Sequence, residues 1–255
     1  MGTGSAAAEP QSVPTGGVTF VDLIIRGEVP VGTNEYDTSD LHLWVLPIPG
    51  DVSESSLDLS VLDEEERRRM AALVHRRDRR LYGFAHMALR AVLSRATGVA
   101  PEALRFTRAP CPCCTEPHGR PVLASGSTEF SLSHSRDLVL IGVAPVPIGV
   151  DAEPVPAAEV AEQLAELLHP SECEEVEAAA PEDRPAVFAR LWVRKEAYLK
   201  GLGTGLGRDL AADDVRGDLP GWHLTDLPVA TTHAGAVAVN SPAPRTVRIH
   251  RALPA

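Results

Sequence analysis

The spacing of apolar and polar positions changes several times along the chain, and each change marks an element. Leu41 to Leu46 is a mostly apolar run closed by Pro47 and Pro49, which predicts a first strand. Ser60 followed by Asp63, with acidic residues after it, predicts a helix start. Beyond it Leu81, Phe84, Ala85, Ala88, Leu89 and Val92 recur at i, i+3, i+4, i+7, the stripe of one buried helix face, with Gly98 as the C-cap. Residues 108–120 are dense in Pro and Cys and read as a loop. Short strands are predicted over 129–133, 138–143 and 148–153, with Pro145 and Pro147 marking a turn. Helices are predicted over 157–168, from Ser171 capped with Glu174, and from Pro185 to Lys200, ended by Gly201. Three further strands are predicted over 222–227, 236–239 and 246–250.

Helices followed by strands thus occur twice, without a sequence repeat between the halves. The predicted class is α+β, divided near Pro145: a poorly ordered segment over 1–37, a lobe over 38–145 and a second lobe over 146–255. A chain of 255 residues can bury a substantial core. No apolar run approaches the roughly 20 residues that span a bilayer. The first residues are rich in Gly, Ala, Ser and Pro and lack the basic-then-apolar pattern of a signal peptide. A cytoplasmic protein with no membrane partner is the expectation.

The formal net charge of -11 argues against a broad nucleic-acid surface. An anionic ligand must therefore meet a local basic patch, and Arg67, Arg68, Arg69, Arg76, Arg77, Arg79 and Arg80 form one within 14 residues. Of 24 basic residues only Lys195 and Lys200 are lysines, and both lie in one short stretch. An ammonium shifts its pKa readily and a guanidinium does not, so either chance or phosphate and proton chemistry explains the pair.

Asp151 and Glu153 flank Ala152 in Ile148-Gly-Val-Asp-Ala-Glu-Pro; on a strand both carboxylates face one side. Such a pair suits magnesium, which takes one or two carboxylates with water and phosphate oxygens; a polar strand end entering a loop is the alternative. Glu196 and Lys200, at i and i+4 in Leu191-Trp-Val-Arg-Lys-Glu-Ala-Tyr-Leu-Lys, share a helix face, as a surface ion pair would too. Gly201, Gly203, Gly205 and Gly207 follow that helix rather than precede it, so they do not form a phosphate loop of the P-loop kind. His134, in Phe130-Ser-Leu-Ser-His-Ser, either donates to a phosphate or is a histidine satisfied by backbone. Cys111, Cys113, Cys114 and His118 offer four metal-binding groups in a cramped span, so a structural zinc stands beside an ordinary loop.

Taken together, Gly119-Arg-Pro, Phe130-Ser-Leu-Ser-His-Ser, Gly149-Val-Asp-Ala-Glu and Trp192-Val-Arg-Lys-Glu-Ala-Tyr-Leu-Lys, in that order, resemble the 4'-phosphopantetheinyl transferases of the two-lobed type that activates secondary-metabolite synthases. The resemblance runs from about Asp63 to Val239. It implies two similar lobes related by a pseudo-twofold axis, with coenzyme A in the cleft between them. It implies that Asp151, Glu153 and Glu196 hold Mg2+, that Glu196 is a candidate base, and that Lys200 steadies the pyrophosphate and the leaving group. It places Lys195, Ser133 and His134 at coenzyme A, Arg120 near its nucleotide end, and Arg76, Arg77 and Arg80 at the nucleotide phosphates. The expected partner is an acyl or peptidyl carrier protein, and the expected state a monomer. Ala152 departs from the larger apolar residue usual between the two acids, but its side chain faces away from theirs. A magnesium-dependent pyrophosphate hydrolase and a non-catalytic coenzyme A or carrier-binding module are the rival readings.

Overall fold

The computed structural model describes residues 40–114, 116 and 119–251; the segment 1–37 and His118 lie outside the described residues. The first half runs β1 (Leu41–Pro47), α1 (Glu64–Ala72), α2 (Arg76–Thr97), β2 (Phe106–Arg108), β3 (Pro121–Leu123), β4 (Glu129–Ser135) and β5 (Leu138–Ala144). The second runs β6 (Ile148–Pro154), α3 (Ala158–Ala165), α4 (Pro170–Ala178), α5 (Arg184–Leu202), β7 (Trp222–Asp226), β8 (His233–Asn240) and β9 (Val247–His250). The class is α+β, as expected. None of the described helices is long and apolar enough to cross a membrane.

The continuous apolar character of β1 has a simple cause: both of its faces are buried. Trp44 and Leu46 pack toward α2 with Phe84, Ala88, Val92 and Ile141. Leu41, Leu43 and Val45 face the other way, onto Leu140, Val150 and Val237. The second sheet turns its far face to α5, where Val193 and Ala197 meet Trp222, Ala236 and Ala238. The layers are therefore α2, a four-stranded sheet, a three-stranded sheet and α5. The strand orders are β4-β5-β1-β9 and β6-β8-β7, with β2-β3 as a separate hairpin. Each large sheet is built alike: a leading strand, then helices, then a hairpin whose second strand pairs antiparallel with the leading strand.

Some boundaries differ from the expectation for local reasons. The first helix is capped by Asp63, not Ser60: the Asp63 carboxylate accepts from the Glu66 N–H, and Glu66 accepts from the Asp63 N–H. The long helical pattern breaks between Ala72 and Arg76. His169, not Ser171, caps α4, with Pro170 in its first turn. Gly203, at φ 81, ends α5 two residues after Gly201. The hairpin β2-β3 is absent from the expected elements because three-residue strands show no period. β9 pairs in parallel with β1, so the last strand of the proposed 146–255 lobe belongs to the first sheet.

One close approach brings α5 to the acidic strand. A Cβ on Gly149 would lie 1.9 Å from the Ala197 carbonyl oxygen and 2.4 Å from the Gly201 nitrogen. Only glycine lets β6 and α5 touch backbone to backbone there.

Beneath α1, the Arg90 side chain is fully buried and donates to Glu66 (2.8 Å), Asp63 (2.8 Å) and the carbonyls of Pro101 (2.7 Å) and Leu104 (3.2 Å). Burial alone would raise the Glu66 pKa, but the His86 hydrogen bond and the Arg90 charge outweigh it and hold the carboxyl below its ordinary 4.5. Replacing Arg90 strands a buried carboxylate and two carbonyls, so Arg90→Met is expected to lower unfolding free energy by about 3–5 kcal/mol in urea titrations. The Glu66 contribution is complete above the unfolded-state value and is lost as pH falls through the lower folded value. The variant should therefore lose less stability than the parent on acidification below about pH 4.5; parallel acid unfolding curves would refute this.

Candidate active site

β4 and β6 are the facing edges of the two sheets, and they share no peptide ladder. Serines on alternate positions of β4 join them instead. Ser131 Oγ accepts from the Val150 N–H at 3.0 Å. Ser133 Oγ accepts from the Ala152 N–H at 3.3 Å and donates to Asp151 Oδ1 at 2.8 Å. Ser135 Oγ donates to Glu153 Oε2 at 2.6 Å. The hydroxyls satisfy the free N–H groups of β6 and orient its two acids. Ser133 is buried, and its hydroxyl is engaged in this seam.

Asp151 is almost wholly buried. Lys200 Nζ reaches its Oδ1 at 2.6 Å, while Oδ2 is buried with no hydrogen-bond partner. Burial pushes the Glu153 carboxyl up, Asp151 adds to the rise, and the Ser135 bond and Lys200 oppose it. Burial likewise raises Glu196, followed by repulsion from Asp151, with Lys200 opposing and Glu153 adding. The three acids and Lys200 therefore share one electrostatic neighbourhood, in which one ammonium faces three carboxylates. Among the described residues no three His, Cys, Asp or Glu side chains stand grouped closely enough to hold a metal ion as they are placed.

His134 lies beside Tyr82, ring centroids 6.5 Å apart, and its Nδ1 has no hydrogen-bond partner. Burial, then the charges of His86 and Lys200, push its pKa down to about 4, so the imidazole is neutral at pH 7. From Lys200 a cavity of about 450 Å³ extends between α2 and the β2-β3 hairpin. Its wall carries four cations, Arg69, Arg108, Arg120 and Lys200, and three acids, Asp63, Glu65 and Glu66, with Arg69 paired to Glu65, together with the rings of Tyr82, Phe106 and Phe130. Arg120 is ion-paired with Glu129 and packs near Gly203.

The structure places the remaining expected contacts away from this cavity. Arg76 and Arg77 are exposed at the start of α2, and Arg80 donates to the Val52 carbonyl at 3.1 Å; the cavity wall includes none of them. Arg69, from the same basic stretch, and Arg108 reach the wall instead. Helical phase could have singled out Arg69, but nothing local marked Arg108, which lies on a three-residue strand. Lys195 is buried beneath α5, donating to Glu172 at 2.8 Å and to the Asp213 carbonyl, which leaves its ammonium no face for a phosphate.

The profile of the 4'-phosphopantetheinyl transferase superfamily matches residues 147–236, from the start of β6 into β8. The chain is 30% identical over 218 residues to the 4'-phosphopantetheinyl transferase HetI of Nostoc, covering 79% of this chain and 88% of that protein. It is 25% identical over 179 residues to the 4'-phosphopantetheinyl transferase Sfp of Bacillus subtilis, covering 69% and 75%.

The position of Lys195 gives a direct expectation. Lys195→Met strands the fully buried Glu172 carboxylate and should cost about 3–5 kcal/mol. Adding Glu172→Gln should recover part of that loss, because removing both charges of a buried pair is often near neutral. A single Lys195→Met variant as stable in urea as the parent would contradict the assignment.

Proposed function

Because the chain belongs to the 4'-phosphopantetheinyl transferase superfamily, we propose that the cleft between its two sheets transfers the phosphopantetheine arm of coenzyme A to a serine of an acyl or peptidyl carrier protein. Adenosine 3',5'-bisphosphate leaves. The observation that carries the assignment of the site is Asp151: one oxygen is held by Ser133 and Lys200, and the other is buried without a hydrogen-bond partner.

In this reading the repeated strand order reflects two lobes related by a pseudo-twofold axis, with β9 crossing back to the first. Mg2+ would be held by Asp151, Glu153 and Glu196, whose excess negative charge and unpartnered buried oxygen suit a divalent ion. Such an ion would leave most of its positions to water and phosphate oxygens. When bound, it would supply neutralising charge at the pyrophosphate.

The remaining chemistry belongs to side chains of this chain. The acceptor hydroxyl attacks the phosphorus that carries the pantetheine arm, and the bond to the nucleotide-side bridging oxygen breaks. Glu196, held among acids that favour its protonated form, receives the hydroxyl proton directly or through water. Lys200 moves from Asp151 to the departing phosphate oxygen, where an ammonium stabilises developing charge. His134, neutral in the free protein, donates a hydrogen bond to the pyrophosphate. Arg69, Arg108 and Arg120 meet the nucleotide phosphates in the cavity, and the aromatic wall faces the base.

The decisive measurement is the intact mass of an apo carrier protein incubated with this protein, coenzyme A and magnesium. It should gain one phosphopantetheine, and Glu196→Ala should abolish the gain. Coenzyme A consumed without carrier modification would instead identify a hydrolase, and binding without turnover a binding module. Arg108→Ala should raise KM for coenzyme A about tenfold with kcat little changed, as loss of a contact equal in ground and transition states requires.

A further inference from the structure

The loop between β2 and β3 carries Cys111-Pro-Cys-Cys, and no step of the proposed transfer uses it. Cys111 is buried, Cys113 and Cys114 are exposed, and all three are thiols. A tight turn over residues 112–114 wraps around the Cys111 sulfur. That sulfur accepts from the N–H groups of Cys113 and Cys114 and meets the thiols of both. Convergent N–H donors favour an anion, here a thiolate. The Cys113 N–H holds the Cys111 thiol below its ordinary 9.0 against burial, aided by the Cys114 N–H and then by the two thiols. Cys113 is shifted the other way, by loss of solvent and then by the Cys111 charge, so it keeps its proton. Cys111 and Cys114, spaced C-x-x-C and in contact, are left as the reactive pair.

The loop is tied to the cavity wall at its neck. The Ala109 N–H donates to the Arg120 carbonyl, and the Gly119 N–H to the Ala109 carbonyl, each at 3.0 Å. Arg108 Nη1 donates to the Gly119 carbonyl at 3.1 Å. A Cβ on Gly119 would lie 2.6 Å from the Ala109 oxygen, so the two sides of the neck touch. Arg108, Gly119 and Arg120 all line the cavity. A change in the turn around Cys111 therefore reaches the wall through Ala109, two positions away.

We propose that Cys111 and Cys114 are a peroxide-reactive dithiol whose oxidation to a disulfide weakens coenzyme A binding; the effect on the coenzyme rests on the function proposed above. The exposed Cys114 sulfur attacks one oxygen of hydrogen peroxide. The O–O bond breaks, the departing hydroxide takes up the thiol proton as water, and Cys114 becomes a sulfenic acid. The Cys111 thiolate then attacks that sulfur. The S–S bond forms, the S–O bond breaks, and the hydroxide released takes up the proton that Cys111 had given up. Two thiols are oxidised and one peroxide is reduced to two waters. The disulfide removes the charge that the two N–H groups address, so the turn shifts, and the neck carries the shift to Arg108 and Arg120. Zinc is a poorer occupant, since it takes four ligands and among the described residues no three stand grouped to hold one.

The test treats the reduced protein with stoichiometric hydrogen peroxide and reads intact mass, a peptide map and coenzyme A binding by calorimetry. The mass should fall by two hydrogens, and the map should join Cys111 to Cys114. Cys113→Ser should oxidise in the same way. Cys111→Ser should leave Cys114 as a sulfenic acid that dimedone traps. Oxidation should raise the coenzyme A Kd of the parent about tenfold, a thiol reductant should reverse it, and Cys114→Ser should not respond. Retention of all thiols, or a Cys113–Cys114 bond, would overturn the proposal. So would an unchanged Kd in the oxidised parent, or an equivalent of zinc that copurifies with the protein and is lost in Cys111→Ser. None of these readouts depends on turnover, so absence of transfer by the reduced parent would refute the underlying function separately.

Discussion

Ser133 donates its hydroxyl proton to Asp151 Oδ1 and accepts the Ala152 N–H on the same oxygen, so one buried atom both joins two sheets and aims an acid. Two edge strands ordinarily meet through peptide hydrogen bonds or avoid each other. Here serines at three alternate positions of β4 take the place of a ladder. A peptide ladder would bind β6 equally well but would leave its carboxylates unaimed. Hydroxyls can both join and aim, because each carries a donor and acceptor lone pairs. The architecture of four layers and the chemistry at their centre therefore share a common set of atoms.

The second requirement is that α5 come close enough to deliver Glu196 and Lys200 to those acids. Gly149 permits it, by letting β6 meet the helix backbone. The result is a cluster whose like charges oppose one another, with Glu153 and Glu196 both displaced toward their protonated forms. Such a cluster weakens a fold rather than supporting it. It persists because its members are held from two sides, by the serine seam and by the α5 contact. Preorganised charge of this kind is what phosphoryl-type transfer requires, since its barrier is lowered mainly by position and electrostatics.

How much of this is legible in the sequence follows from the range of each interaction. The acids of β6 are legible because a strand's period of two places Asp151 and Glu153 together without tertiary knowledge. Glu196 and Lys200 are legible because helical spacing is local too. Ser133 stands out in the sequence, but its role does not. Its sequence neighbours suggest a polar pocket, while its partners lie on a strand 18 residues away. The arginines of α2 illustrate the same limit. Composition finds the basic stretch, but only the packing of α1 against α2 decides that Arg69 meets the cavity while Arg76 and Arg77 face solvent. Pairing of β9 with β1 links positions about 200 residues apart, and alternation within β9 carries no information about its neighbour.

The two lysines sharpen the point, because one rarity has two physical causes. Lys200 fits the chemical reading: it is partly exposed, touches Asp151 and lines the cavity. Lys195 does not, since its ammonium is enclosed by Glu172 and the Asp213 carbonyl. Glu172 also accepts the Val215 N–H at 2.7 Å, so this pair ties α4 and α5 to the segment after the glycines. A guanidinium brings five donors in a rigid fork, and a pocket with one carboxylate and one carbonyl would leave several unsatisfied. A compact ammonium brings three. Lysine at Lys195 thus matches the number of buried acceptors within reach, while at Lys200 a single point charge reaches a buried carboxylate from the wall of the cavity.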